Sequence, residues 1–234
     1  MEKVAVYCGT RNVYEDMLPS VKSLLCHTRM DRIYFLIEDD EFPYPMPPIV
    51  EFRNVSNQKY FKKDGPNYNS HWTYMALMRV ALSKEFPNLD RVLSLDNDTI
   101  IKGDVSELWD LDLTDYYFAG AREPAKCTDE LLYCNFGVVM LNLEKMRKDK
   151  MDTKVIRELN KTARHFPEQD TMSIMCKGHI LEIPPKWNVC DGCGVSRNYG
   201  AVIRHYAGEK NWRGYPEVGR YWWMKWSDVK YAKG

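Results

Sequence analysis

The 234-residue chain has no net charge, because 33 lysines and arginines balance 33 aspartates and glutamates. That removes the bulk electrostatic footprint of a nucleic-acid binder or of a protein held to an anionic membrane. No stretch approaches the roughly 18 apolar residues that a membrane span needs. The start is equally poor in targeting signal: Met1-Glu2-Lys3 runs into the five residues Val4–Cys8 and then Gly9, too short for the apolar core of a secretory leader. The expectation is a cytoplasmic protein without a transmembrane segment, with peripheral contact at the inner membrane face left open. Internal repeats and low-complexity tracts are missing too. Seven cysteines, an odd number, read as reduced thiols rather than as a disulfide framework.

What is present is ordinary globular composition, 44% apolar and 28% charged, in a length that favours one domain at about 150 residues per domain. Val4–Cys8 reads as a buried strand, and Glu15 to Cys26 as a helix with one apolar face. Arg32 to Ile37 and Ile49 to Val55 read as two further strands. This β-α-β alternation predicts an α/β fold, an open, mostly parallel sheet flanked by helices. Asn57 to Asn69 is a loop, Ser70 to Phe86 a helix, and Arg91 to Leu95 a short strand that ends in Asp96-Asn97-Asp98. Strands follow at 116–121, 136–142 and 202–206, and helices at 143–148, 153–163 and 169–176. The aromatic tail from Trp212 to Trp226 reads as a C-terminal helix packed on the core.

Two aspartates one residue apart at the carboxyl end of a strand can aim at one divalent cation, in the place where open α/β sheets put their ligands. An EF-hand is excluded because the sixth position from Asp96 is Ile101 rather than glycine. A phosphatase of the haloacid dehalogenase type shares a strand-Asp-x-Asp pattern, but has it near the N-terminus and not behind three strands. The remaining alternative is a pair of surface aspartates capping a turn.

The pair comes with company: Arg79 on the preceding helix, the segment Asn135-Phe136-Gly137, Glu168-Gln169-Asp170, and His205-Tyr206-Ala207-Gly208-Glu209-Lys210-Asn211-Trp212. In this order and spacing the chain resembles glycosyltransferase family eight, the group of glycogenin and the lipopolysaccharide galactosyl- and glucosyltransferases, from the first strand to Trp212. The resemblance implies a GT-A fold over residues 1–234, a nucleotide-sugar-binding domain with an open mixed sheet, in which 205–234 closes over the donor diphosphate. It implies retaining transfer of a hexose, glucose or galactose, from a UDP-sugar to a glycan or lipid-glycan acceptor, assisted by Mn2+ or Mg2+. Asp96, Asp98 and His205 match the family's metal ligands, and a mixed oxygen and nitrogen set suits manganese better than calcium.

By the same resemblance Arg79, His71 two turns up the same helix, Asn97, Gly208 and Lys210 face the donor, and Thr10 and Asn12 lie in the turn over the base. Asn135, Glu168, Gln169 and Asp170 surround the transferred sugar, with Gln169 nearest the anomeric carbon. An amide is a poor nucleophile, which favours a front-face path over double displacement. The chain departs from the family at Arg11, at Phe136 in place of a small residue, at Glu168 in place of aspartate, and in the Gly208 to Asn211 segment, which is one residue shorter before its lysine and lacks the proline. These departures keep alive a second function, an inactive nucleotide-sugar-binding domain. One cluster stands outside the resemblance. Cys176-x2-His179 followed by Cys190-x2-Cys193 has spacing compatible with structural zinc, although a core cysteine and a turn with two reduced thiols account for it as well, and are preferred here.

Overall fold

The computed structural model describes residues 1–196 and 200–233. Its centre is a seven-stranded sheet. Strand β1 (Val4–Cys8) is followed by helix α1 (Tyr14–His27), then by strands β2 (Arg32–Ile37) and β3 (Val50–Asn54). Helix α2 (Thr73–Glu85), strand β4 (Arg91–Leu95) and the short β5 (Thr99–Ile101) come next. Strands β6 (Phe118–Arg122) and β7 (Cys134–Asn142), helices α3 (Leu143–Lys148), α4 (Met151–Leu159) and α5 (Pro167–Met175), strands β8 (Ile180–Ile183) and β9 (Ile203–His205) and helix α6 (Pro216–Trp222) complete the chain. The sheet order is β3-β2-β1-β4-β7-β6-β8, and β5 pairs separately with β9.

Sequence periodicity explains most of this. β1 and β4 are almost wholly buried and read as continuous apolar runs, as strands covered on both faces do. α1 lays Met17, Val21, Leu24 and Leu25 on one face of the sheet, where they join Phe35 and Leu93 in one core. α2, α4 and α5 cover the other face with Met78, Leu82, Val155 and Met172. The tail forms a small third cluster of Tyr206, Trp212, Val218 and Tyr221. α6 is thus the packed C-terminal helix that the aromatic pattern implied, although Trp223 just beyond it is 82% exposed. Among the described residues no helix is long and apolar enough to cross a membrane.

The strand directions decide where chemistry can sit. β1, β4, β6 and β8 run the same way, since β1 and β4 are parallel, β7 is antiparallel to both β4 and β6, and β8 is parallel to β6. Their carboxyl ends, and the start of β7, therefore share one edge of the sheet. Two elements escaped the sequence reading: β8, whose four residues are too short for a clear alternation, and β5, whose three residues follow directly on the Asp-x-Asp turn. The expectation that all seven cysteines are reduced thiols changes. Cys190 and Cys193 are joined as a disulfide, while Cys8, Cys26, Cys127, Cys134 and Cys176 are free. Cys176 is buried at the end of α5, and the His179 ring binds the Asp115 carbonyl through Nδ1 at 2.8 Å. The four-membered zinc set is therefore not assembled; Cys190 and Cys193 meet His205 instead.

Candidate active site at the carboxyl edge of the sheet

A cavity of about 680 Å3 opens at this edge. Thr10 and Asn12 line it after β1, Asp96, Asn97 and Asp98 after β4, Glu123 after β6, and Asn135 at the start of β7. Arg79 from α2, Glu168 and Gln169 from α5, and His205 and Gly208 complete the wall named by the sequence. Arg11 points elsewhere, pairing with Asp39 on the outside.

At the floor lie Asp96, Asp98 and His205, whose ligand atoms all fall within 4.8 Å of one another. The His205 Nε2 is 3.4 Å from Asp96 Oδ2 and 3.3 Å from Asp98 Oδ1. The aspartates are held by the turn after β4. The Asp96 N–H donates to the Gly137 carbonyl at 2.8 Å, and the Thr99 hydroxyl donates to the Asp96 carbonyl at 2.8 Å. A buried hydroxyl relay, Tyr7 to Ser20 to Thr99, supports that turn from below at 2.9 Å per step. His205 arrives on β9, paired with Thr99 of β5, so this histidine stands in place by strand pairing and is only 1% exposed. The start of the 205–234 segment is therefore held beside the aspartates before any ligand arrives.

The imidazole is oriented by a residue that sequence reasoning missed. Asn188, after β8, accepts from His205 Nδ1 at 3.0 Å and donates its own amide to Asn135 Oδ1 at 2.9 Å. With Nδ1 as donor, Nε2 carries the lone pair, and that buried nitrogen has no hydrogen-bond partner. An orphaned acceptor aimed between two carboxylates fits a cation. Asp98 is held below the ordinary carboxylate range: burial pushes it upward, and the positive charge that the His205 ring carries when Nε2 holds a proton in place of a cation, with Arg79, outweighs that. Asn188→Ala is expected to weaken Mn2+ binding about 10- to 100-fold with little effect on folding, as read by manganese electron paramagnetic resonance. An unchanged affinity would remove Asn188 from the metal's support.

Arg79 is buried and occupied. It donates to the Phe136 carbonyl at 2.9 Å, pairs with Asp96, and lies 3.6 Å from Glu168. Burial pushes the Glu168 carboxyl upward against the pull of Arg79. Gln169 is clamped from both ends: its Oε1 accepts from the Phe136 N–H at 2.9 Å, and its Nε2 donates to Glu123 Oε2 at 2.9 Å. Glu123 was also missed, though the strand-end rule that singled out Asp96 applies to it, since β6 runs parallel to β4. Asp16 of α1, another cavity residue not foreseen, pairs with Arg213 at 2.7 Å and so ties the C-terminal segment to α1.

Three assignments do not hold as read. His71 lines the cavity from an exposed turn before α2, which begins only at Thr73. Asp170 is turned away to the start of α5, where it accepts from the Phe166 N–H at 3.0 Å and from the Tyr133 hydroxyl. Lys210 is exposed and outside the cavity wall, whereas Gly208, with φ of +77°, presents bare backbone to it.

A model of the family described as "Glycosyl transferase family 8" matches residues 6–215. A putative glycosyltransferase of Haemophilus influenzae is 29% identical over 143 residues, covering 54% of this chain and 43% of that protein. The lipopolysaccharide 1,2-glucosyltransferase of Escherichia coli is 32% identical over 162 residues, covering 57% and 48%. The chain thus spans about half the length of these curated relatives. Among solved structures, the glycosyltransferase GlyE of Streptococcus pneumoniae superposes with a TM-score of 0.72 at 19% identity, covering 98% of this chain and 62% of that one.

Proposed function

The chain belongs to glycosyl transferase family 8 and has the GT-A fold, and from that premise we propose that it transfers glucose or galactose from a UDP-sugar to a glycan or lipid-glycan hydroxyl with retention at the anomeric carbon. The observation that carries this reading is the Asp96, Asp98 and His205 set with its unpartnered buried Nε2. Five carboxylates, Asp16, Asp96, Asp98, Glu123 and Glu168, line the cavity against the guanidinium of Arg79 and the imidazoles of His71 and His205. A diphosphate entering so acidic a pocket requires a counter-cation. Family membership removes the phosphatase alternative.

When bound, Mn2+ or Mg2+ at these three residues supplies Lewis-acid neutralisation of the leaving diphosphate. Arg79 exchanges its contact with Asp96 for the donor's charge. Gln169, fixed by Phe136 and Glu123, presents a preorganised dipole rather than a nucleophile, consistent with a front-face path in which the diphosphate takes the acceptor's proton. Thr10 and Asn12 flank the base, Asn97, with a buried unpartnered Oδ1, faces the donor, and Asn135 and Glu168 contact the sugar. His71 reaches in from the rim. The segment around Gly208 folds over the phosphates and carries Lys210 inward; Asp170 acts by holding the start of α5.

Incubating the protein with UDP-glucose and UDP-galactose, with and without Mn2+, tests the reading. UDP release should depend on the metal, and Gln169→Ala should lower turnover far more than UDP affinity. Metal-dependent UDP binding without release would favour the inactive binding domain, and UDP affinity indifferent to metal would sink both.

A further inference from the structure

We propose that Cys190 and Cys193, once reduced, form with His205 a second metal site, one that takes zinc or another thiophilic divalent cation and competes for the imidazole with the carboxylate site. The ligand atoms of Cys190, Cys193 and His205 all lie within 4.8 Å of one another, as those of the Asp96, Asp98 and His205 set do, and all three residues are buried. Backbone pairing brings them together. The His205 N–H donates to the Val189 carbonyl at 2.9 Å, which places the next residue, Cys190, beside β9. A tight turn then returns Cys193 to Cys190: the Cys193 N–H donates to the Cys190 carbonyl at 3.1 Å, that of Val195 to the same carbonyl at 3.0 Å, and Gly194 takes the left-handed conformation, φ +84°. This is C-x2-C chelate spacing on a rigid turn. Cys193 and Gly192 line the cavity, so a fourth coordination position faces solvent and can hold water.

In the structure the two sulfurs are bonded to each other. A dithiol reductant delivers two electrons and two protons, breaking the S–S bond to give two thiols while the reductant closes to its own cyclic disulfide. Binding the cation then releases two protons as both thiols become thiolates. Freed sulfurs can separate to the roughly 3.4–3.8 Å between tetrahedral zinc ligands that Zn–S and Zn–N bond lengths require. The two ligand sets differ in softness. Two thiolates and an imidazole select zinc, whereas two carboxylates and an imidazole suit manganese or magnesium. One ring cannot serve both. Nε2 is the carboxylate site's own ligand, and Nδ1 is held by Asn188, so engaging either nitrogen at the thiolates costs the carboxylate site.

Cobalt(II) is the probe, because thiolate ligation gives it an intense near-ultraviolet charge-transfer band. The full chain, reduced with dithiothreitol and freed of it under nitrogen, should develop that band with one equivalent of cobalt and lose it when zinc is added. The oxidised chain, which keeps its five free cysteines, should show none. Cys193→Ser should remove the band, and His205→Ala should weaken cobalt binding at least about tenfold. No band in the reduced chain, or a band unaffected by His205→Ala, overturns the site. The competition rests on the carboxylate metal site proposed above and has its own readout: zinc should release Mn2+ from the reduced protein with UDP at a concentration at least about tenfold lower than from the oxidised one, where it competes only through the carboxylates and imidazole. Retention of Mn2+ beside a full cobalt-thiolate band would overturn the shared imidazole alone and leave the glycosyltransferase reading intact.

Discussion

Gly137→Ala is expected to abolish metal-dependent UDP binding while the protein still folds. A Cβ built at Gly137 clashes with the His205 ring, 2.7 Å from Nε2 and closer still to Cε1 and Nδ1. The backbone there has little freedom, because the Gly137 carbonyl accepts from the Asp96 N–H and its own N–H donates to Asn135 Oδ1 at 2.9 Å. The imidazole must therefore move, giving up its bond to Asn188 and its alignment with Asp96 and Asp98. Overpacking of this kind costs about 1–3 kcal/mol of stability, which a domain of ordinary stability survives. Metal affinity should fall at least about 100-fold, equivalent to ~2.7 kcal/mol, and more than for Asn188→Ala, which leaves the ring room to stay. Manganese resonance with UDP, beside a thermal melt, gives the answer; parental Mn2+ affinity would mean that His205 is not a ligand.

Arg79→Leu should cost both activity and stability, and the stability loss should depend on pH. Removing the guanidinium leaves Glu168 without its compensating charge and the Phe136 carbonyl without a donor. Breaking a buried pair from one side costs about 3–5 kcal/mol, and the low end applies because Asp96 stays partly solvated and retains His205. The Glu168 pKa lies above its unfolded value already in the parent, so its ionised form opposes folding. Stability from this group is complete below the ordinary glutamate pKa and is lost as pH rises through the raised one. Without Arg79 that loss deepens, so the variant's deficit in urea unfolding should be smaller at about pH 5 than at about pH 8. Transfer should fall at least about 100-fold, ~2.7 kcal/mol of transition-state stabilisation. A pH-independent deficit would show that Glu168 is not the group left exposed.

The long elements were readable because their periodicity is strong: α1, β1, β2, β4 and β7 lie within a few residues of where apolar spacing puts them. The members of the candidate metal set were readable too, Asp96 and Asp98 from their strand end and His205 through family resemblance, and the fold brings the three together. Asn188 and Glu123 were not. Each acts through a contact between segments distant in sequence, Asn188 with His205 and Glu123 with Gln169, and single-chain spacing carries no trace of such pairs. His71 was misplaced because the apolar pattern of α2 runs back past Thr73, whose φ of +60° marks the break. The Cys190 and Cys193 pair was visible as a spacing, but only β9 reveals that its neighbour is the active-site histidine.

The pairing of β5 with β9 sets a timetable. Thr99 meets His205 across almost half of the chain, and closing so long a loop is slow and entropically costly. During synthesis the sheet can assemble through β8 while the aspartates wait with no histidine beside them. The candidate site is completed only when β9 and the segment following it emerge and dock, with Arg213 reaching Asp16. A cation that binds the finished site and not the open one adds its binding free energy to that docking step alone, so Mn2+ should slow proteolysis of the segment from β9 to α6 more than that of the sheet before it.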